Sequence, residues 1–306
     1  MHEKVKKMRQ CRYSFMWLLF LATSCTAELL SSAPGAAEQL PIARLAQVSF
    51  RVADLQKARQ FYGDVMGFEE TFQVKDAQDQ LLALYFKVND DQYLAFFPSD
   101  AGDENFRLDR FSLLTPDIKR AHDMLRKRNL APGDIHRGDD GNQRFSLSDP
   151  DGTILDFVQY MPDSRQSKAR GKTKGERRIS SHLQHVGLAV ADSAVSMTFY
   201  RDKLGFWETT RGGPAPGDIR WINLMMPGTH GDYVELMVYA ADPPAKRQHI
   251  CFAVPDIQRA HKLLLERGLP ARFKPFHAKT GDWLMNLRDS NGIRVEFMEV
   301  KKDKQE

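Results

Sequence analysis

Cysteine is scarce in this sequence. The 306 residues contain three, at Cys11, Cys25 and Cys251. The first two lie in an N-terminal segment that we interpret below as an export signal, so only Cys251 belongs to the predicted folded body. A disulfide within one chain is therefore excluded, and the fold must be stabilised by its hydrophobic core.

An excess of charge is also missing from most of the chain. The formal net charge is +4, and residues 1–27 carry five Lys or Arg against one Glu, so the remainder is formally neutral. A composition of 42% hydrophobic and 27% charged residues is typical of a soluble globular protein. Nothing in this balance favours nucleic acid as a partner.

A membrane-spanning run is missing as well. The apolar run YSFMWLLFLA at residues 13–22 is shorter than the ~20 residues that a span needs. Basic residues precede it and small residues follow, which is the order of a secretory signal peptide. We predict a signal peptide over residues 1–27 and an exported, periplasmic protein; a retained N-terminal membrane anchor is the alternative. Ala22–Cys25 also resembles a bacterial lipobox, which would make a lipoprotein anchored through Cys25, and cleavage after Ala27 competes with it.

The rest of the sequence contains an internal repeat. Leu45–Phe68 and Leu183–Phe206 both alternate apolar residues with strand periodicity and then continue with a helix that an Asp can cap and a Gly can end. The segments FYGDVMGFEE and FYRDKLGFWE lie 138 residues apart, starting at Phe61 and Phe199. In the later copy Val195 and Phe199 are apolar positions of the helix. His185 shares its strand face with small residues, which favours the wall of a site.

Each half of the chain is itself doubled. Phe111–Asn129 and Ile250–Gly268 repeat the order strand, turn, helix, glycine. Short strand candidates follow, for example Arg220–Met226, Tyr233–Tyr239, Trp283–Arg288 and Ile293–Val300. The sequence therefore predicts four β-α-β-β-β modules, two in each half.

The predicted domains run from 42 to 160 and from 182 to 300. A spacer at 28–41 precedes the first domain. Residues 161–181 contain seven Lys or Arg, and we interpret them as a basic, solvated interdomain linker. Contact of this segment with an anionic membrane is the alternative.

Three features carry a resemblance to a known family: the V-x-D turn before the FYxDxLGF helix, the strand that starts at His249, and the hairpin DSNGIRVEF. With them both halves resemble the vicinal oxygen chelate superfamily, which includes glyoxalase I, extradiol dioxygenases, fosfomycin-resistance proteins and methylmalonyl-CoA epimerase. The resemblance implies an α+β fold in which two modules curl into an open barrel around one metal site. This chain would then contain two such barrels.

The resemblance also implies the metal ligands, which come from the first and fourth strands of each module. In the second half they fall on His185, Glu235, His249 and Glu296. Two imidazoles and two carboxylates suit Zn, Ni, Mn or Fe(II), and the carboxylates neutralise a divalent ion. The matching positions of the first half are Gln47, Ala95, Arg110 and Asp156, so we expect a metal-free N-terminal domain.

This asymmetry also predicts which modules pair. All competent positions lie in the third and fourth modules, so consecutive modules are expected to close on each other. Exchange of modules between identical chains gives the same ligand count, which leaves a homodimer open.

Three functions stay open, all with a small-molecule partner. The first is a metal-dependent isomerase, lyase or epimerase of glyoxalase type, acting on a substrate with neighbouring oxygens and using Glu296 or Glu235 as the base. The arginine that binds glutathione in glyoxalase I is Ala189 here, so glutathione is not expected. Glu235 favours this first function, because ring-cleaving dioxygenases usually lack a carboxylate at that position.

The second function is an Fe(II) extradiol ring-cleaving dioxygenase with His185, His249 and Glu296 as its facial triad. His277 lies where that family has an active-site histidine, which predicts a substrate-binding role, but the tyrosine expected ten residues before the last ligand is Asn286. The third is a non-catalytic protein that binds a small molecule. We expect an enzyme and place glyoxalase-like chemistry first.

Overall fold

The computed structural model describes residues 38–99, 107–172, 175–215, 217–228, 230–238, 248–278 and 280–300. The predicted signal peptide and Cys25 lie outside these residues, as does most of the predicted spacer. Where the spacer is described, Leu40 is buried in the hydrophobic core, so the folded domain begins before residue 42. No helix among the described residues is long and apolar enough to cross a membrane.

Two sheets form the protein, one from each half of the sequence. The first contains β1 (Arg44–Val52), β2 (Glu69–Lys75), β3 (Leu81–Lys87), β4 (Tyr93–Pro98), β5 (Arg107–Leu114), β6 (His136–Arg137), β7 (Gln143–Ser148) and β8 (Ile154–Gln159). The second contains β9 (His182–Val190), β10 (Trp207–Gly212), β11 (Trp221–Met225), β12 (Tyr233–Val238), β13 (His249–Val254), β14 (Phe276–His277), β15 (Trp283–Arg288) and β16 (Arg294–Glu299).

Both sheets have the same strand order. It is β2-β3-β4-β1-β5-β8-β7-β6 in the N-terminal half and β10-β11-β12-β9-β13-β16-β15-β14 in the C-terminal half. In each sheet the first strands of two consecutive modules pair antiparallel, β1 with β5 and β9 with β13. The prediction that consecutive modules close on each other is confirmed, and the chain consists of two open half-barrels.

Besides two π-helical segments, Arg59–Val65 and Thr198–Lys203, five α-helices lie among the described residues, one after the first strand of each module and one in the linker. They are α1 (Leu55–Ala58), α2 (Ile118–Lys127), α3 (Arg165–Ala169), α4 (Ser193–Met197) and α5 (Ile257–Glu266). In all four modules an aspartate caps the helix, because its carboxylate accepts hydrogen bonds from the first free backbone N–H groups. These caps are Asp54, Asp117, Asp192 and Asp256.

The helix after β9 differs from its prediction in one respect. Val195 is 49% exposed, whereas Phe199 is buried as expected. The reason is that α4 is one short turn and continues as a π-helical segment over Thr198–Lys203. A π-helical turn holds more residues than an α-turn, so the simple i, i+4 spacing does not describe the buried face.

The basic linker is not a solvated spacer. It forms α3 and packs on the N-terminal half-barrel, with Gln166 and Ile179 buried. The ammonium of Lys87, itself buried, donates to the carbonyls of Ala169 and Lys172 at 2.7 and 2.8 Å. A buried ammonium needs such acceptors, so these contacts fix the linker to the barrel.

Two matching contacts join the half-barrels. Tyr200 donates its hydroxyl to Asp149 at 2.8 Å, and Tyr62 of the other repeat lies by Asp289. Each tyrosine belongs to the repeated FY segment of one half, and each aspartate to the last hairpin of the other half. One hydrophobic core spans both halves, so the second half-barrel is held against the first.

Candidate metal centre

The four predicted ligands lie on the four central strands of the C-terminal sheet: His185 on β9, Glu235 on β12, His249 on β13 and Glu296 on β16. Strand register brings them to one face. Gly187 pairs with Glu235 on one side and with His249 on the other. Cys251 pairs with both His185 and Glu296. Residues paired across adjacent strands share a face, so all four side chains point into the barrel.

The side chains converge on one point. The Nε2 atoms of His185 and His249 lie 3.1 Å apart, and Glu235 Oε2 lies 3.0 Å from His249 Nε2 and 4.0 Å from His185 Nε2. One ligand atom from each of His185, His249 and Glu296 lies within 4.8 Å of the others. The structure therefore brings all four predicted ligands together.

This arrangement fits a divalent cation. Metal–ligand bonds of about 2.1 Å separate neighbouring ligand atoms by about 3 Å, which is the spacing of the two imidazole nitrogens and of His249 with Glu235. His185 Nδ1 is buried and has no hydrogen-bond partner among the described residues. The His185 ring is held by stacking on Tyr233, with centroids 4.4 Å apart. Nitrogen and carboxylate donors in this number suit Zn, Ni, Mn or Fe(II).

The electrostatics also suit a cation. Burial lowers the pKa of His185 to about 3, so its imidazole is neutral, which is the form that binds metals. Burial alone would raise the pKa of Glu235, but the contact with His249 outweighs burial and lowers the pKa to about 2. Burial raises the pKa of Glu296, and the charge of Glu235 adds to that rise. Two carboxylates close together repel one another, and a cation between Glu235 and Glu296 removes that repulsion.

Gly187 makes room for one ligand. A Cβ atom built on Gly187 would lie 2.0 Å from Cε1 and 2.1 Å from Nδ1 of His249. No side chain fits at such a distance, so His249 can adopt its position only over a glycine. The small residues beside His185 indicate the face of the site, but the requirement for glycine depends on the pairing of Gly187 with His249.

Two further polar residues, Arg294 and Asn286, belong to the site but were not predicted from the sequence as functional. Arg294 Nη2 donates to Glu296 Oε2 at 3.0 Å, and Arg294 Nε donates to Asn286 Oδ1 at 3.1 Å. Arg294 precedes Glu296 by two residues on β16, so strand periodicity puts both on one face. This periodicity is the sequence signal that could have predicted Arg294 as a residue of the site.

A cavity opens beside the two carboxylates of this cluster. Its volume is about 640 Å³, which is in the range of small-molecule sites. Glu235, Glu296, Arg294 and Asn286 are in its wall, together with apolar side chains such as Trp221 and Met298. His277 is not among the lining residues. Its imidazole is exposed and stacks on Trp283 with centroids 3.7 Å apart, so the geometry does not support a substrate-binding role for it.

Among its described residues, the N-terminal half-barrel has no comparable centre. Gln47 donates to Ser49 at 2.7 Å, and Arg110 Nη1 lies 3.4 Å from Asp156 Oδ2. Ala95 belongs to a buried cluster that fills the interior. The members of this aromatic cluster are Val74, Ala83, Tyr85, Tyr93 and Ala95, with Phe72, Phe97 and Tyr160 packed against them. The first half therefore uses the same positions for packing and ion pairs.

Fold and site define the class of protein, and the sequence agrees. The family model "Glyoxalase/Bleomycin resistance protein/Dioxygenase superfamily" matches residues 44–157 and again residues 182–297. The chain therefore belongs to the glyoxalase/bleomycin resistance/dioxygenase superfamily, with one such domain in each half. No curated protein matches the sequence.

Solved structures show the same fold at low identity. The 2,3-dioxygenase LapB from Pseudomonas sp. KL28 is 17% identical with a TM-score of 0.69, over 87% of this chain and 94% of that one. A Mn(II)-bound glyoxalase from Novosphingobium aromaticivorans is 18% identical with a TM-score of 0.64, over 85% and 82%. Homoprotocatechuate 2,3-dioxygenase from Brevibacterium fuscum, in complex with 3,4-dihydroxyphenylacetate, is 16% identical with a TM-score of 0.64, over 88% and 84%.

Proposed function

We propose that the C-terminal half-barrel binds one divalent metal ion and that the protein is an enzyme acting on a small substrate with neighbouring oxygens. The reaction is proton transfer next to a carbonyl, as in glyoxalase-like isomerases, lyases and epimerases. The observation that carries this proposal is the convergence of His185, His249, Glu235 and Glu296 beside a cavity of about 640 Å³. The metal-bound state of the Novosphingobium glyoxalase, which shares the fold, supports it.

The bound ion would polarise two neighbouring oxygens of the substrate. The chain's own residues divide the remaining work. Glu296 is anchored by Arg294 and its side chain is 6% exposed, whereas the Glu235 side chain is 16% exposed. Glu235 is therefore the carboxylate that reaches the substrate and takes the proton, and Glu296 stays as a ligand.

A second candidate is an Fe(II) ring-cleaving dioxygenase. The observation in its favour is the cluster of His185, His249 and Glu296, which is a two-histidine, one-carboxylate set. Two dioxygenases share the fold. Against it, Asn286 stands where a tyrosine is expected, and His277 lies outside the cavity wall.

Metal analysis followed by two assays tests the proposal. Protein purified without added metal should contain about one equivalent of Zn, Ni or Mn by elemental analysis. It should also exchange the proton next to a carbonyl of small 2-hydroxyketones or 2-oxoaldehydes with deuterium, measured by NMR. Glu235→Gln should keep most of the metal and lose the exchange, and Asp156→Asn in the other half-barrel should change neither. Bound iron with oxygen uptake on catechols would instead establish the dioxygenase.

We also propose that the protein is exported, because residues 1–27 combine a basic start, an apolar run and a small-residue end. The mass of the protein purified from the periplasm or membrane fraction tests this. Loss of residues 1–27 indicates cleavage after Ala27. A lipid-sized mass increase that Cys25→Ser abolishes indicates a lipoprotein, and an unprocessed cytoplasmic chain would contradict export.

A further inference from the structure

Arg294 brings a positive charge to a site whose two carboxylates already balance a divalent ion. Its Nη2 and Nε atoms bind Glu296 and Asn286. The third nitrogen, Nη1, has no hydrogen-bond partner among the residues that the structure describes. The side chain is 23% exposed and lies in the cavity wall. A guanidinium group is thus held in place by two of its nitrogens while a third can donate to a molecule in the cavity.

The N-terminal half-barrel shows that the fold does not need an arginine here. Ile154 pairs with Arg110 just as Arg294 pairs with His249, so Ile154 occupies the position of Arg294. Its sheet has the same strand order. The arginine is therefore specific to the half-barrel that has the metal ligands and the cavity.

The charge balance of the site favours an anion. The two negative charges of Glu235 and Glu296 offset the two positive charges of a divalent ion, and neutral imidazoles add none. The positive charge of Arg294 is therefore in excess. The other two arginines in the wall are paired outside it, Arg211 with Glu208 and Arg220 with Asp218. Asp282 is in the wall as well, but it is exposed to solvent, which screens its charge. An uncompensated charge in a partly desolvated cavity is costly, and an anionic ligand removes that cost.

The positive potential extends beyond the cavity. Arg294 and Asn286 also line an adjoining groove of about 500 Å³, whose wall includes Arg272 and Arg288. An anionic group that reaches Arg294 from the metal therefore remains on a basic surface.

We propose that Arg294 binds a carboxylate of the substrate, so that the substrate class is small carboxylic acids whose two neighbouring oxygens reach the metal. This inference rests on the proposed function. A guanidinium donates in a planar fork that matches a carboxylate. Arg294 thus selects the substrate and also orients Glu296.

Ligand pairs that differ only in charge test the assignment. Zinc-loaded protein is titrated calorimetrically with 3,4-dihydroxybenzoate and 3,4-dihydroxybenzamide, and with the two corresponding 2,3-dihydroxy compounds. Zinc has no redox chemistry, so binding is measured without turnover. In at least one pair the acid should bind roughly tenfold or more tightly than the amide, as expected for a charge-assisted hydrogen bond. Equal binding of acid and amide in both pairs overturns the proposal.

Variants of Arg294 test whether this residue causes the preference for the acid over the amide. Arg294→Met should reduce it to less than about threefold, and Arg294→Lys should retain part of it, because the ammonium keeps the charge without the fork. Arg220→Gln removes another arginine of the same cavity wall and should leave the preference intact. Metal content and melting temperature are measured for each variant, and Arg294→Lys serves as the test if Arg294→Met loses the ion. An unchanged preference in Arg294→Lys and Arg294→Met overturns the assignment.

Failure of this inference is distinguishable from failure of the proposed function. If the protein retains one zinc ion but shows no charge preference, only the substrate class is wrong. If it retains no ion, the metal site is wrong and the inference fails with it.

Discussion

The two half-barrels have the same strand order and different interiors. In the C-terminal one, Glu235 sits across from Gly187 under an open cavity. In the N-terminal one, Ala95 sits across from Ser49, and Tyr85 and its aromatic neighbours fill the space. Strand register is thus common to both, whereas the ligand set is not. The same strand order therefore forms with and without the four predicted ligands, so the fold does not require them.

The two half-barrels also differ in what covers them. Helix α3 bridges the ends of the N-terminal sheet. Arg165 donates to the carbonyl of Gln73 on β2 at 2.7 Å, and its backbone N–H donates to Asp140 before β7. Its guanidinium also lies over the Phe72 ring. In the described part of the chain, no helix follows β16.

Removing a ligand is the strongest way to test the comparison. His249→Ala deletes one of the two imidazoles and leaves no donor atom in its place, so metal affinity should fall by at least roughly a hundredfold. The measurement is elemental analysis after dialysis, with the N-terminal half monitored by hydrogen exchange and expected to remain folded.

A control in the N-terminal half-barrel is Gln47→Ala, because Gln47 is the counterpart of the other imidazole ligand, His185. It removes only a hydrogen bond to Ser49 and should leave metal content unchanged. Full metal occupancy in His249→Ala would mean that the ligand assignment is wrong.

The next prediction concerns the N-terminal half-barrel, whose interior is filled by aromatic side chains. Tyr85 is 4% exposed and stacks on Phe72 with centroids 4.5 Å apart. Tyr85→Ala should lower the free energy of unfolding by ~3–5 kcal/mol, as large-to-small changes of aromatic core residues do. Denaturant titration measures this.

Asn223 is the matched position in the other half-barrel, because it pairs with Glu235 as Tyr85 pairs with Ala95. It lines the cavity, so Asn223→Ala should cost less than ~1 kcal/mol. Similar costs at the two positions would show that the interiors do not differ as described.

The next prediction replaces one small residue of the C-terminal site by the residue that the N-terminal half-barrel has at the matching position. Gly187→Ser introduces the residue that the first half-barrel has at Ser49, and its Cβ would overlap the His249 ring. The imidazole must shift, and metal affinity should fall roughly tenfold to a hundredfold, as for changes that reorient a ligand. Competition with a chelator measures the affinity.

The reverse change, Ser49→Gly, should leave metal content unaltered. If Gly187→Ser binds metal as tightly as the parent, then the glycine is not needed for the position of His249.

Local patterns were sufficient to predict most of the framework. The aspartate caps and alternating strands gave four modules, and strand phase gave the face of each ligand. The remaining features depend on contacts between segments that are distant in the sequence. Residues 161–181 are polar, and their burial depends on Lys87 and Asp140, which are distant in sequence. The aromatic filling comes from three strands, so no single segment predicts it. Arg294 lies in phase with Glu296, but its contact with Asn286 requires the β15–β16 register.

The smallest expected effect concerns the two tyrosine–aspartate contacts between the half-barrels. Asp289 is buried, and its Oδ2 atom has no hydrogen-bond partner in the described residues, whereas Asp149 accepts from Tyr200. Burial raises the pKa of Asp289 to about 6, above that of an unfolded chain. The folded state therefore binds the extra proton, and stability is lost as pH rises from about 4 to about 6.

Asp289→Asn removes that loss, because the amide oxygen can still accept from the backbone N–H groups of Asn291 and Ile293. The variant should be more stable than the parent by ~1–2 kcal/mol at pH 7 to 8, and the gain should disappear below about pH 4. Asp149→Asn should gain less, because Tyr200 already donates to that carboxylate. Denaturant titrations between pH 4 and 8 give these differences, and a gain that does not vary with pH would exclude ionisation of Asp289 as its cause.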